Sequence, residues 1–145
     1  MALNLTLRLE TVARRVPKGA RLADVGTDHA YLPAWLLSRG HIPFAVCTDL
    51  RPGPLARARE TVERWEVADK VSLRLCDGLA GVEPGEVDCV VIAGMGGETI
   101  LHILAQAPWT ASMPCIVQPM SSIPDLRAGV GALGLRVAGE TLARE

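Results

Sequence analysis

Residues 22–33 read Leu-Ala-Asp-Val-Gly-Thr-Asp-His-Ala-Tyr-Leu-Pro, and no other stretch constrains the fold as much. A short apolar run delivers an acid, then a lone glycine, then a polar turn that opens into a helix. Strand, tight turn and helix N-terminus in one segment are the parts of a nucleotide-type cofactor site. The alternation continues along the chain. Leu5, Leu9, Val12, Ala13 and Val16 recur at helical spacing and predict an amphipathic helix over 4–15, ended by Pro17-Lys18-Gly19. Strands are predicted at 21–25, 44–48, 71–75, 87–93, 115–118 and 135–142. Helices are predicted at 31–39, from Pro52 to about Val67, at 98–106 and at 124–132. Short, fully apolar strands alternating with helices imply an α/β fold, with a mostly parallel sheet covered on both faces. A length of 145 residues suffices for one domain with its own core. The expected organisation is an N-terminal amphipathic helix (1–20) packed on a domain spanning 21–145. With aromatics at 3%, that core must be aliphatic.

Fifteen basic residues against sixteen acidic ones exclude a polycation. Any nucleic-acid contact must therefore come from a local patch. The first 22 residues supply one, with Arg8, Arg14, Arg15, Lys18 and Arg21 against the single acid Glu10. No apolar run approaches the ~20 residues of a membrane-spanning helix, and no signal peptide is recognisable. Cys47, Cys76, Cys89 and Cys115 show no C-x-x-C spacing. They are expected to be buried free thiols in a reducing cytoplasm, with no metal site and no membrane partner.

The glycine spacing selects the cofactor. A dinucleotide site needs G-x-G-x-x-G so that a pyrophosphate can approach, but here Gly26 is followed by Thr27, Asp28, His29 and Ala30. Asp24 and Asp28 around a single glycine would repel a pyrophosphate and suit a cofactor with a cationic, amine-bearing end, such as S-adenosylmethionine. Ligands of open parallel sheets bind at the carboxyl ends of the strands, and polar residues fall there repeatedly. Asp49 ends the second strand, 23 positions after Gly26, where a carboxylate can bond ribose hydroxyls. Asp77-Gly78 ends the third and Gly94-Met95-Gly96-Gly97 the fourth. Each has a bland alternative: Gly26 as a turn glycine, Asp24 as a cap, Asp49 as a helix N-terminal acid, Asp77-Gly78 as a common turn pair. The glycine run admits three roles, as a phosphate nest, a turn needing positive φ, or a low wall for a flat substrate. His29 could be a ligand, a base or a turn residue. His41 and His102 fit surface or structural positions, and Trp35, Trp65 and Trp109 fit packing.

Five stretches together resemble the bacterial tRNA (adenine-N1)-methyltransferases that modify adenine 22, the TrmK family. They are Arg8-Leu9-Glu10-Thr11-Val12-Ala13, the segment from Ala23 to Pro33, Asp77-Gly78-Leu79, Ile92-Ala93-Gly94-Met95-Gly96-Gly97 and Val117-Gln118-Pro119. The resemblance covers nearly the whole chain. It implies a Rossmann-like class I methyltransferase fold, S-adenosyl-L-methionine as cofactor and tRNA as substrate. By position, Asp24, Gly26 and His29 would line the methionine end. Asp49 would hold the ribose, and Asp77 with Gly78 the adenine ring. Ala93, Gly94 and Met95 would flank the sulfonium and the incoming base, and Thr27, Leu50 and Leu79 complete the cofactor set. Tyr31, Gly96, Gln118 and Pro119 would face the substrate. Asp28 is the side-chain candidate for catalysis. Arg8, Arg14 and Arg15 would bind tRNA phosphates, unless they only form a solvated helix face.

Family members continue past strand six into a further strand and a mostly helical C-terminal region, so this chain is expected to lack both. In the class I order 3-2-1-4-5-7-6, strand six would then have no neighbour, leaving an apolar edge open and predicting weaker stability or association. Two alternatives stand beside tRNA methylation: methyl transfer to a small molecule, and a cofactor-binding fragment without activity.

Overall fold

The computed structural model describes residues 3–144. Met1, Ala2 and Glu145, the outer limits of the two predicted units, lie outside the described residues. The order of elements is α1 (Leu7–Ala13), β1 (Leu22–Val25), α2 (Tyr31–Ser38), β2 (Ala45–Asp49), α3 (Pro52–Arg64), β3 (Val71–Leu75), β4 (Cys89–Met95), α4 (Gly97–Ala105), β5 (Cys115–Pro119) and α5 (Ile123–Val130). The five strands form one parallel sheet in the order β3-β2-β1-β4-β5. The chain winds outward from β1 to β3 on one side, then returns to lay β4 against β1. The strand order therefore switches between β1 and β4, where an open α/β sheet forms its ligand crevice.

Every residue of β1 and β2 is buried, the acids Asp24 and Asp49 included, which explains why the rest of both strands is so apolar. Alternate side chains feed two separate cores. Leu22, Cys47, Cys89 and Val91 pack with Val12 and Val16 at α1, Leu36 of α2 and Val62 of α3. Ala23, Val46, Val90 and Ile92 pack on the other face with Ile100, Ile103 and Leu104 of α4 and Leu126 of α5. Helices thus cover both faces, as the apolar strands require.

Boundaries shift where local chemistry intervenes. Helix α1 begins only at Leu7, because Thr6 caps it by accepting the Leu9 N–H. Helix α3 ends at Arg64, and Glu66 just beyond adopts φ +58. The thiols divide: Cys47 and Cys89 are buried, but Cys76 and Cys115 are only half-buried, and all four are free. No helix among the described residues is long and apolar enough to cross a membrane.

The sixth strand is a correction. Residues 135–144 form neither strand nor helix and are largely exposed, Val137 at 54% among them. A strand exists only through its ladder of hydrogen bonds with a neighbour. The described residues contain no seventh strand to lie between β5 and this segment, so its apolar alternation has no ladder to join. The segment is instead tied by side chains: Glu140 to Arg127 at 2.8 Å, and Thr141 to Arg15.

Candidate functional site

The turn after β1 is held in a costly shape. Gly26 adopts φ +68, a region open to glycine, and a Cβ there would collide with Met95 Cε. The N–H groups of Gly26 and Thr27 both donate to Thr48 O, at 2.9 and 3.0 Å, so β2 fixes the turn. Asp28 (φ +51) and Ala30 (φ +59) also lie in the left-handed region. Asp tolerates this conformation better than Ala. Each costs on the order of 1 kcal/mol, and such residues cluster at functional sites. Ala30 is fully buried, and its N–H donates to Thr27 O at 2.9 Å.

Above the turn opens a cleft of about 520 Å³ at the carboxyl ends of β1, β2, β3 and β4. Four carboxylates line it, Asp24, Asp28, Asp49 and Asp77. Asp24 is buried, and Thr27 Oγ1 donates to its Oδ2 at 2.8 Å. Burial pushes the Asp24 carboxyl up to about 7; the Thr27 hydrogen bond opposes this and the nearby Asp49 charge adds to it. The buried Cys47 thiol is held above its ordinary range by burial and by the charge of Asp24. Asp49 is also buried; its Oδ2 accepts the Asp28 N–H at 3.4 Å and its Oδ1 the Arg51 N–H at 3.1 Å. Gly78 adopts φ +58, and its carbonyl accepts Thr48 Oγ1 at 2.9 Å.

At the fourth strand the ladder slips. Ala93 pairs with Gln118 but Met95 with Pro119, so Gly94, at φ +78, is the extra residue of a bulge. Its N–H donates to Gln118 Oε1 at 3.0 Å. The Gly97 N–H donates to Ser121 O at 2.8 Å, and a Cβ on Gly97 would lie 2.5 Å from Ser122 O. Of the three roles open to the glycine run, the turn needing positive φ holds for Gly94, while Gly97 is required for a reason outside those three, the close approach of the Ser121–Ser122 backbone. Both amides have protein partners, which argues against a phosphate nest.

Of the predicted site residues, Arg8, Asp24, Gly26, Asp28, Tyr31, Asp49, Leu50, Asp77, Gly78, Ala93, Gly94 and Met95 line this one cleft. Thr27 stands behind Asp24 as its hydrogen-bond donor. The His29 ring stacks on Tyr31, centroids 5.0 Å apart, with Nε2 4.0 Å from Asp28 Oδ2. Leu79 lines a smaller adjoining recess with His102 and Gln106. Gly96, Gln118 and Pro119 flank the bulge without lining the cleft. Arg14 and Arg15 do not line it either; Arg14 pairs with Glu10 at 2.7 Å.

Sequence reasoning missed several residues. Thr99, His102 and Ile103 of α4 line the cleft, and His102 lines the recess too. Their i, i+3, i+4 spacing marks one helix face, but nothing in the sequence says that this face meets the third strand's end. Cys76 and Arg51 also line the cleft, and Arg57 reaches within 3.7 Å of Asp28 Oδ1.

A methyltransferase-domain family matches residues 5–145. The tRNA (adenine(22)-N(1))-methyltransferase of Bacillus subtilis is 42% identical over 102 residues, 70% of this chain and 43% of that protein. The crystal structure of the B. subtilis enzyme superposes with a TM-score of 0.82 at 34% identity, covering 90% of this chain and 57% of the other. A Streptococcus pneumoniae protein crystallised with S-adenosyl-L-methionine gives a TM-score of 0.93 at 38% identity, covering 98% of this chain and 68% of the other. The chain spans less than two thirds of the length of the curated relatives it matches.

Proposed function

We propose, from the premise that the chain belongs to the methyltransferase-domain family and within it to the tRNA (adenine(22)-N1)-methyltransferases, that it transfers a methyl group from S-adenosyl-L-methionine to N1 of an adenine in tRNA. The observation that carries this is the convergence of Asp24, Asp49 and Asp77 on one cleft at the ends of three adjacent strands. The volume suits a ligand of this size, and the donor set suits the cofactor. A buried carboxylate at Asp24 fits an ammonium, Asp49 at the end of β2 fits a ribose diol, and Asp77 beside Gly78 fits an adenine edge. Thr27 fixes Asp24, Leu50 and Leu79 give apolar walls, and His29 supports the turn through Tyr31. The absence of a second and third glycine after Gly26 disfavours a dinucleotide.

When bound, the cofactor supplies an activated methyl on a sulfonium; the protein supplies orientation and electrostatics. The adenine must be unpaired or flipped out, because N1 faces its pairing partner in a duplex. Met95, packed over Gly26, and the side-chain-free Gly94 leave room for a flat base beside Ala93. The ring becomes cationic on methylation, and the Asp28 carboxylate at the cleft can stabilise that charge or accept a proton from the N6 amine. Tyr31, 42% exposed at the mouth, offers a face for stacking. Gly96 and Pro119 shape the substrate side. Arg8 at the cleft, with Arg14 and Arg15 along α1, is suited to tRNA phosphates, an interaction that salt weakens steeply. The unit from residue 21 onward would bind the cofactor, with α1 and Val16 packed on it, and a tRNA substrate implies a reaction in the cytoplasm.

Calorimetric titration with S-adenosyl-L-methionine and with NAD tests the cofactor, with heat expected from the first alone. Methyl incorporation into tRNA bearing adenine or guanine at position 22 tests the substrate. Equal incorporation into both would refute the assignment, and incorporation only into small metabolites would reassign the acceptor.

A further inference from the structure

The bulge at the end of β4 creates a specific demand. Because Gly94 is inserted between the paired positions Ala93↔Gln118 and Met95↔Pro119, its N–H has no place in the backbone ladder. Gly94 is exposed, so water is the competing partner for this amide, and a protein acceptor holds it in one place where water would not. The side chain of Gln118 meets the demand. Its Oε1 accepts the Gly94 N–H at 3.0 Å and Arg8 Nη1 at 2.8 Å. Both lone pairs of that oxygen are thereby used. Its Nε2 donates to Pro119 O at 3.1 Å and approaches Met120 Sδ at 3.4 Å. The amide is thus saturated by partners within the protein, from α1, β4 and the end of β5. Gly94 leads directly into Met95, whose methyl lies over Gly26, so the seat of Gly94 also sets where Met95 stands in the cleft.

We propose that Gln118 is a positioning residue, bracing the Gly94–Met95 bulge and tying it to α1 through Arg8, rather than a residue that reads the substrate base. The proposal rests on the methyl-transfer function above, and it revises the substrate-contact role that the sequence resemblance implied for Gln118. Its consequence is a split between binding and rate. The cofactor carboxylates stand on β1, β2 and the β3 end, so loosening the bulge leaves their grip intact. What suffers is the alignment of base and methyl group beside Met95.

The test uses Gln118→Leu and Gln118→Glu, with two readouts. Amide hydrogen exchange at Gly94, followed by NMR, reports the brace without any need for activity. The expected result is exchange roughly tenfold faster in Gln118→Leu and protection restored in Gln118→Glu, whose carboxylate still accepts from Gly94 and Arg8. Affinity for S-adenosyl-L-methionine should change less than about threefold, while single-turnover methylation of tRNA falls roughly tenfold or more in Gln118→Leu and recovers in Gln118→Glu. Unchanged Gly94 exchange in Gln118→Leu would overturn the proposal. So would equal rate loss in both variants with a raised KM for tRNA, since that pattern belongs to an Nε2 that donates to the base. If Gln118→Leu does not fold, Gln118→Met, of similar length and without a strong acceptor, carries the same comparison. If the unaltered chain methylates no tRNA, the function falls, but the exchange arm still decides the brace.

Discussion

Replacing Asp24 by Asn should stabilise the free protein at alkaline pH while destroying its grip on the cofactor. Asp24 is 6% exposed, and burial raises its carboxyl from 3.8 to about 7. A carboxyl whose folded pKa lies above its unfolded value binds more protons when folded. Its stability contribution is therefore full below about pH 4 and lost as pH rises through about 7. Keeping so displaced a carboxyl ionised in the folded protein costs about 4 kcal/mol at pH 8. Asn keeps an acceptor for Thr27 Oγ1, which now donates to Asp24 at 2.8 Å, but adds an amide N–H₂ whose burial costs ~1–2 kcal/mol. The net gain at pH 8 is about 2 kcal/mol, or roughly 4–8 °C in Tm for a domain of this size. At pH 4, where the wild-type carboxyl is already neutral, the sign should reverse and Asn should be the less stable by about 1 kcal/mol. Guanidinium unfolding of both proteins at half-unit steps from pH 4 to 8.5 measures the difference directly, because titrations elsewhere cancel. A difference that does not change with pH would refute the reasoning. On the proposed pairing of Asp24 with the cofactor's ammonium, the same variant should bind S-adenosyl-L-methionine about 100-fold more weakly, since such a buried pair is worth ~2–3 kcal/mol.

Three further outcomes are expected. Gly97→Ala should lower stability by about 2–3 kcal/mol, because its Cβ would press on Ser122 O at 2.5 Å and Ser121 O at 3.0 Å, which are backbone atoms; a Tm within 2 °C of wild type would contradict this. Asp28→Asn should leave cofactor affinity within about threefold, because the side chain is 64% exposed, and slow single-turnover methylation about tenfold or more; an undiminished rate would remove Asp28 from the chemistry. The Glu86 carboxyl is lowered to about 2, first by its hydrogen bond with Arg74 at 2.8 Å. Its contribution is therefore present above about pH 4.5 and lost as pH falls through about 2. Glu86→Gln should cost at most about 1 kcal/mol at pH 7, a difference that should vanish in unfolding curves at pH 2.

How far the fold was legible follows from what each element needed. Strands β1 to β5 lie close to their predicted bounds, because their apolar runs pack into the sheet, fully for β1 and β2 and partly for the edge strands β3 and β5. The 135–142 segment carries the same alternation as a strand, yet forms none, because a ladder partner is a property of the sheet and not of the segment. The site divides in the same way. Asp24, Gly26, Asp49, Asp77 and Gly78 were legible because each sits at a strand end, where topology decides the destination. His102 and Thr99 were not, because α4 delivers them to the third strand's end through tertiary packing. Gln118 was placed near the site by motif, but its task depends on a one-residue slip in pairing that no periodicity records.

The cleft and the stability of the fold pull in opposite directions. Asp24 is buried beside Asp49 at the cost of a strongly raised carboxyl, and Asp28 and Ala30 occupy left-handed backbone in a five-residue turn that begins at Gly26. These costs sum to several kcal/mol, a large share of what a domain of this length holds in reserve. They persist because the turn is over-determined. Thr48 O takes two of its amides, Met95 closes over Gly26, and Gln118 fixes the bulge that carries Met95. The same contacts that hold the strained turn in place also define the cleft's floor and wall. Relieving any one of them should therefore raise mobility at the site before it unfolds the sheet.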